Sequence, residues 1–247
     1  MSRKRTSKSR KNILRKVFLF TIAIILSYLF IFKTDYFNVK HIEVSGNKKL
    51  TSQEIIKASL CNKGENILKF NIRKGEESIN SLPYIKNCRI KREFPDKIVI
   101  QVEERMDAAV VPYSNSFAII DKEGYVLSIE KDDKNFQIPR IIGLEPKEIK
   151  VSDNLFYKLQ IDNIEEFIDL ADRMGFLNKM EYIDLSDDRN IIFKINNGTN
   201  VAFGSLDNVK YKLGFLIKIL EDLNKKDIKA RQIFFNKGEN PVIVTDN

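Results

Sequence analysis

The chain contains one histidine, His41, and two cysteines, Cys61 and Cys88. A cysteine nucleophile with a histidine base is the smallest catalytic pair these residues could make. Nothing near His41 supplies a group to orient it, and nothing near Cys88 suggests oxyanion donors. The two read as a strand histidine and a small buried thiol. Adjacent carboxylates occur at Glu103-Glu104, Asp132-Asp133, Glu165-Glu166 and Asp187-Asp188. Acid–base work needs two carboxylates facing one cleft, whereas neighbours in a strand point to opposite faces, which separates Glu103 from Glu104. All four pairs read as solvated surface. The sequence has no C-x-x-C and no H-E-x-x-H, and it lacks the glycine-rich phosphate loops. No metal site, phosphate cradle or other cofactor is therefore expected. Asn197-Gly198-Thr199 is formally a glycosylation acceptor, but Asn-Gly reads first as a type I′ hairpin turn.

The charge pattern narrows the partners. The net charge is +8 over 247 residues. Residues 1–16 carry eight bases and no acid, leaving 34 of the 42 bases against 34 acids elsewhere. The basicity belongs to a tail, so no nucleic-acid partner is expected of the folded part. The tail is followed by VFLFTIAIILSYLFIF, residues 17–32, which holds no charge. Its apolar side chains are Val17, Phe18, Leu19, Phe20, Ile22, Ile24, Ile25, Leu26, Leu29, Phe30, Ile31 and Phe32. With Ile13 and Leu14 the stretch 13–32 is about 30 Å long as a helix, the thickness of a bilayer core. No small-residue cleavage pattern follows it, so it reads as an uncleaved anchor. The bases ahead of it place the N-terminus in the cytoplasm and residues 33–247 outside. An exported location permits a Cys61–Cys88 disulfide, and two buried free thiols fit equally well.

The elements behind the anchor follow from periodicity. Phe37, Val39, Ile42 and Val44 mark a strand. Thr51 and Glu54 form an S/T-x-x-E capping box that starts a helix near residue 52, with Ile55, Ile56, Ala58 and Leu60 on its apolar side. A weaker helix carries Ile72, Ile79 and Leu82, with Gly75 inside it. YIKNCRIKRE is a strand, Phe94-Pro95-Asp96 a turn, and KIVIQVEER a strand that buries Ile98, Ile100 and Val102. SFAIIDKEGYVLSIE is a hairpin. IPRIIG leads into a stretch, 144–161, without a clear period. Asn163 with Glu166 resembles a cap for a helix built on Ile164, Phe167, Ile168 and Ala171. Three short strands follow, then a helix capped by Asp207 with a stripe of Leu213, Leu216, Ile217, Leu220 and Leu223. RQIFF and PVIVT close the chain as a hairpin across 236–240. Its strand edge, Arg231, Gln232, Ile233, Phe234 and Phe235 with Val242, Ile243 and Val244, is the candidate for accepting a partner strand. KIVIQVEER is a second docking edge if it lies at the margin of its sheet.

These phrases in this order resemble the FtsQ/DivIB family of bacterial cell-division proteins. IEVSGN, LTSQEI, LPYIKN and KREFPDKIVIQVEER resemble its POTRA domain, and SFAIIDKEGYVL, IPRIIG and VAFGSLDNVKYKLGFLIKIL its β domain. The likeness runs over roughly residues 12–245. It implies an α+β chain with a cytoplasmic tail at 1–12, an anchor at 13–32, a β-α-α-β-β POTRA domain at 36–106 and a mixed, mostly antiparallel β domain with two main helices at 107–247. It also implies a non-enzymatic scaffold at the division septum that helps control septal peptidoglycan synthesis. The implied partners are FtsB/DivIC-like and FtsL-like single-pass coiled-coil proteins, held by strand addition at 231–235 and 242–244. Gln232 stands where the family usually has an acid, Cys61 and Cys88 stand where it has small residues, and no long tail follows residue 247. The alternative reading is a membrane-anchored POTRA chaperone or assembly factor of a secretion system.

Overall fold

The computed structural model describes residues 5–131, 136–146, 148–238 and 240–245. The expected surface pair Asp132-Asp133 lies outside the described residues. The chain divides into two compact units, Met1–Glu104 and Arg105–Asn247.

In the first unit, α1 spans Arg5–Lys33. Its segment Asn12–Lys33 is long and apolar enough to cross a membrane, and it is exposed except for the half-buried Ile31 and Phe32 at its end. A 3-10 turn at Asp35–Phe37 separates it from β1, His41–Ser45. The first strand therefore starts later than Phe37: Val39 N–H donates to the Glu65 carbonyl instead of joining the sheet. Next come α2 (Ser52–Ala58), α3 (Ile72–Asn80), β2 (Ile85–Glu93) and β3 (Lys97–Glu104). The Thr51/Glu54 capping box is formed in full. Leu60 leaves the expected apolar face and is exposed. Gly75 is buried where a Cβ would come within 2.9 Å of Ile90, Phe70 and the Ser59 carbonyl, so its absent side chain lets α3 approach the sheet.

The sheet order is β1-β3-β2, with β1 parallel and β2 antiparallel to β3. Ile98, Ile100 and Val102 face the core, with Ile55, Ile67, Ile79, Cys61 and Cys88. β3 is thus the central strand. Both its hydrogen-bonding sides are occupied, which removes KIVIQVEER as a docking edge.

The second unit is built on one nine-stranded sheet. Its strands are β4 (Ala109–Tyr113), β5 (Ser116–Ile120), β6 (Val126–Glu130), β7 (Arg140–Ile142), β8 (Met180–Asp184), β9 (Ile191–Ile195), β10 (Asn200–Gly204), β11 (Ala230–Phe234) and β12 (Val242–Thr245). Helices α4 (Leu155–Leu159), α5 (Ile164–Arg173) and α6 (Val209–Lys225) complete it. The order is β12-β11-β10-β9-β8-β7-β4-β5-β6. Parallel pairing occurs at β4–β7, β7–β8 and β10–β11, and the other pairs are antiparallel.

The core gathers Phe167 of α5, Phe193 of β9 and Phe203 of β10, with Leu213 and Leu216 of α6. Ring centroids of Phe203 lie 5.3 Å from Phe167 and 5.7 Å from Phe193, within the range of favourable aromatic pairs. The α+β class is that expected. β4 and α4 had no clear signal: Pro112 interrupts the first, and the second is a single turn.

Local turn chemistry departs from expectation at three points. Asn163 is the N-cap of α5 but sits at φ 60° with no side-chain cap bond. The N-cap of α6 is Asn208, while Asp207 accepts from Ser205 Oγ at 2.8 Å. The β9–β10 turn is not type I′, because Gly198 alone has positive φ there, at 95°. Gly198 N–H donates to the Ile195 carbonyl and Ile195 N–H to the Thr199 carbonyl, which makes a type I turn closed by a glycine bulge. Thr199 is buried and its hydroxyl donates to the Ala230 carbonyl at 2.7 Å, fixing the start of β11.

Candidate interaction edge at the C-terminal strands

His41 and Cys88 stand apart, as a strand histidine and a buried thiol. His41 is exposed on β1 and pairs with Lys97, whereas Cys88 is buried on β2 and pairs with Val102. The two register positions are five residues apart on β3, about 17 Å at roughly 3.3 Å per residue. Cys61 and Cys88 are free, buried thiols. Burial, helped by Glu65, pushes the Cys61 thiol up to about 11, and burial with Glu76 pushes Cys88 to about 11 as well. Such thiols carry little thiolate near neutral pH and are poor nucleophiles.

Members of the carboxylate pairs have structural roles. Glu104 accepts the backbone N–H groups of Lys48, Lys49 and Leu50 at 2.8, 2.7 and 3.0 Å, while Glu103 is exposed. Asp187 accepts from Arg189 N–H. Glu165 and Glu166 occupy the first turn of α5, where they oppose the positive end of the helix dipole. The expected anchor residues, Val17 to Phe32, all lie on α1.

The residues expected at the docking edge fall on β11 and β12, and the sheet separates their roles. β11 is an inner strand, parallel to β10 on one side and antiparallel to β12 on the other. Ile233 is fully buried, and Phe235 packs on Phe203 and Phe215 at 5.9 and 6.4 Å. Phe234 faces the opposite side, under the Lys237 ammonium at 4.0 Å. The register slips between Ala230 and Gln232, leaving Arg231 as an unpaired, exposed extra residue. Residues 231–235 therefore fill the sheet and its core, and offer no free strand edge.

β12 is the outermost strand, and among the described residues no strand pairs with its outer side. Its polarity follows from one bond. Phe235 N–H donates to the Ala202 carbonyl, so Phe235 and Ile233 direct their amides toward β10. By the two-residue period, Gln232 and Phe234 direct theirs toward β12, where they meet Val244 and Val242. Ile243 is then left with its N–H and C=O pointing outward. Val242, Ile243 and Val244 are 44, 39 and 41% exposed, so both faces of the strand present branched aliphatic side chains. Among the described residues this is an uncovered edge, β-branched and uncharged over three residues. Sequence reasoning named both strands but could not tell inner from outer, because the strand order depends on the β10–β11 crossover.

Comparison with known proteins places this architecture. The profile described as "POTRA domain, FtsQ-type" matches residues 37–105, and that described as "Cell division protein FtsQ/DivIB, C-terminal" matches 109–233, ending ahead of β12. The chain is 32% identical over 218 residues to the cell division protein DivIB of Clostridium tetani, covering 86% of this chain and 81% of that one. It is 32% identical over 241 residues to DivIB of Clostridium botulinum strain Hall, covering 95% and 92%. A relative called cell division protein FtsQ, from Syntrophotalea carbinolica, is 28% identical over 79% of this chain and 70% of its own length. A solved extracytoplasmic domain of DivIB from Geobacillus stearothermophilus aligns with 50% of this chain and 97% of its own, at 18% identity and a TM-score of 0.34. With both domain profiles matched in order behind an apolar helix that fits a transmembrane anchor, the chain belongs to the FtsQ/DivIB family of cell-division proteins.

Proposed function

We propose that this chain is a non-enzymatic scaffold of the division machinery that holds short single-pass partners of the FtsB/DivIC and FtsL type by strand addition on β12. Through them it helps control septal peptidoglycan synthesis. The observation that carries the reading is the free outer edge of β12, with the Ile243 N–H and C=O directed away from the sheet. An added strand gains main-chain hydrogen bonds there, and the exposed side chains of Val242, Ile243 and Val244 supply contacts on alternating faces. The eight bases ahead of the apolar segment support a cytoplasmic N-terminus, with both folded units outside and the protein at the septum. The domain division of the reading puts the tail at 1–12, the anchor at 13–32, the POTRA domain at 36–106 and the β domain at 107–247.

The test is in-cell photo-crosslinking of the full chain from Val242, Ile243 and Val244, with Arg231 and Gln232 as neighbours. Capture of a short single-pass coiled-coil protein, strongest from β12, supports the reading. Exported, folded protein with no capture from β12 contradicts it.

A further inference from the structure

We propose that the end of the POTRA unit nearest the anchor is a membrane-resting surface, formed by Tyr36, Leu60, Leu68 and Phe94 and seated in the headgroup layer of the bilayer that α1 enters. The proposal rests on reading α1 as a membrane span. That segment, Asn12–Lys33, has 22 residues, about 33 Å at 1.5 Å per residue. A bilayer core is about 30 Å thick, so the last turn of α1 reaches its boundary.

The folded unit is fastened to that same turn. Asn66 is buried, and its Nδ2 donates to the Ile31 carbonyl at 2.7 Å. A loop bonded to Ile31 is held at the depth of Ile31. Arg92 stiffens the loop by donating to the Ile67 and Phe70 carbonyls at 2.8 and 2.6 Å. Rings continue the junction: Phe30 lies 5.5 Å from Tyr36 and 6.1 Å from Phe37, and Phe37 lies 6.4 Å from Phe94. The β2–β3 turn that carries Phe94 is tied in by Lys40 and His41, whose N–H groups both donate to the Asp96 carbonyl.

Exposure points the same way. Among the described residues of this unit beyond α1, the large hydrophobic side chains left exposed are Tyr36 at 53%, Leu60 at 59%, Leu68 at 39% and Phe94 at 58%. All four lie at the end of the sheet where the anchor enters. Leu60 follows α2, whose chain returns to pair Gly64 with Val39. At the opposite end, where Glu104 binds residues 48–50, no large hydrophobic of this unit is exposed among the described residues, although Met106, at the start of the second unit, is 58% exposed. Clustered exposed apolar groups mark an interaction surface, and aromatic residues with lysines are the side chains that favour a membrane interface. Lys33 ends α1, and the Lys69 ammonium stands 6.0 Å over the Phe32 ring, both placed to reach phosphates. Acidic Asp35, Glu65 and Asp96 share this rim, so apolar seating dominates over charge.

The chain contains no tryptophan, so single introduced ones report depth. Full-length Phe94→Trp, Leu68→Trp and Leu60→Trp variants, reconstituted in phosphatidylglycerol–phosphatidylethanolamine nanodiscs, should show blue-shifted emission and quenching by brominated acyl chains. Lys48→Trp, at the far end, should show neither. Leu26→Trp, inside α1, should be quenched strongly. Quenching of Leu26→Trp with water-like, unquenched emission at all three rim positions overturns the proposal and leaves the span standing. Loss of quenching at Leu26→Trp removes the span reading, and the proposal with it.

Discussion

Glu104 is the position where one substitution has the clearest local consequence. Its carboxylate is the shared acceptor for three consecutive amides, two on Oε2 and one on Oε1. These amides belong to the loop that delivers the chain from β1 into α2, so the last residue of β3 holds the start of the first helix. Glu104→Ala removes all three bonds at once. Hydrogen bonds to a charged group contribute about 1.5–3 kcal/mol each when buried, but Lys48 and Lys49 can recover water on losing theirs. Counting roughly 0.5 kcal/mol for each of those two and about 1 kcal/mol for the half-buried Leu50 amide gives a loss of about 2 kcal/mol. For a domain of this size that lowers the melting temperature by about 8–16 °C. Thermal unfolding of the purified chain measures the shift, and hydrogen exchange should show lost protection confined first to residues 48–50. Glu103→Ala, on the exposed neighbour, should stay within about 0.5 kcal/mol. Equal, small effects of the two substitutions would refute the assignment of Glu104 as a structural acceptor.

Two further outcomes follow from the titrating groups. The Asp169 carboxyl is held below its ordinary value, first by its hydrogen bond from Lys122 and then by the charges of Lys122 and Arg173. A depressed folded pKa stabilises above the unfolded value and loses that contribution as pH falls through the folded one. The stability of the second unit should therefore drop below about pH 4, and Asp169→Asn should flatten that part of the pH profile, as read by denaturant titration. With thiols raised to about 11, Cys61 and Cys88 should resist alkylation at pH 8 in the native chain and react only on unfolding in urea. Rapid native labelling of either would contradict their burial.

The sequence was most readable where period and cap agree locally. The Thr51/Glu54 box and the alternation of Ile98, Ile100 and Val102 need only neighbours within one element, and both stand in the structure. Several readings failed where the deciding group is far along the chain, and others at local turns and breaks. Glu104 looked like solvated surface because its partners lie more than fifty residues earlier. KIVIQVEER looked like a possible margin because an isolated strand does not reveal that β1 and β2 flank it. β11 and β12 looked equivalent for the same reason, until the parallel pairing of β10 with β11 left β12 outside. Asn208, not Asp207, is the N-cap of α6, and Asp207 accepts from Ser205 instead. β4 escaped notice because Pro112 interrupts its apolar run, although the strand pairs Pro112 with Phe117.

The central claim is that β12 accepts a strand through the outward amide of Ile243. Ile243→Pro deletes that one donor on the free side, whereas Val244→Pro deletes the inward donor facing Gln232. Co-purification of the proposed FtsB/DivIC-type partner with the full-length Ile243→Pro chain, alongside hydrogen exchange of the β11–β12 pair, tests it most directly. Loss of the partner with β11–β12 protection retained is the expected result. Undiminished partner recovery from Ile243→Pro would contradict strand addition at this edge.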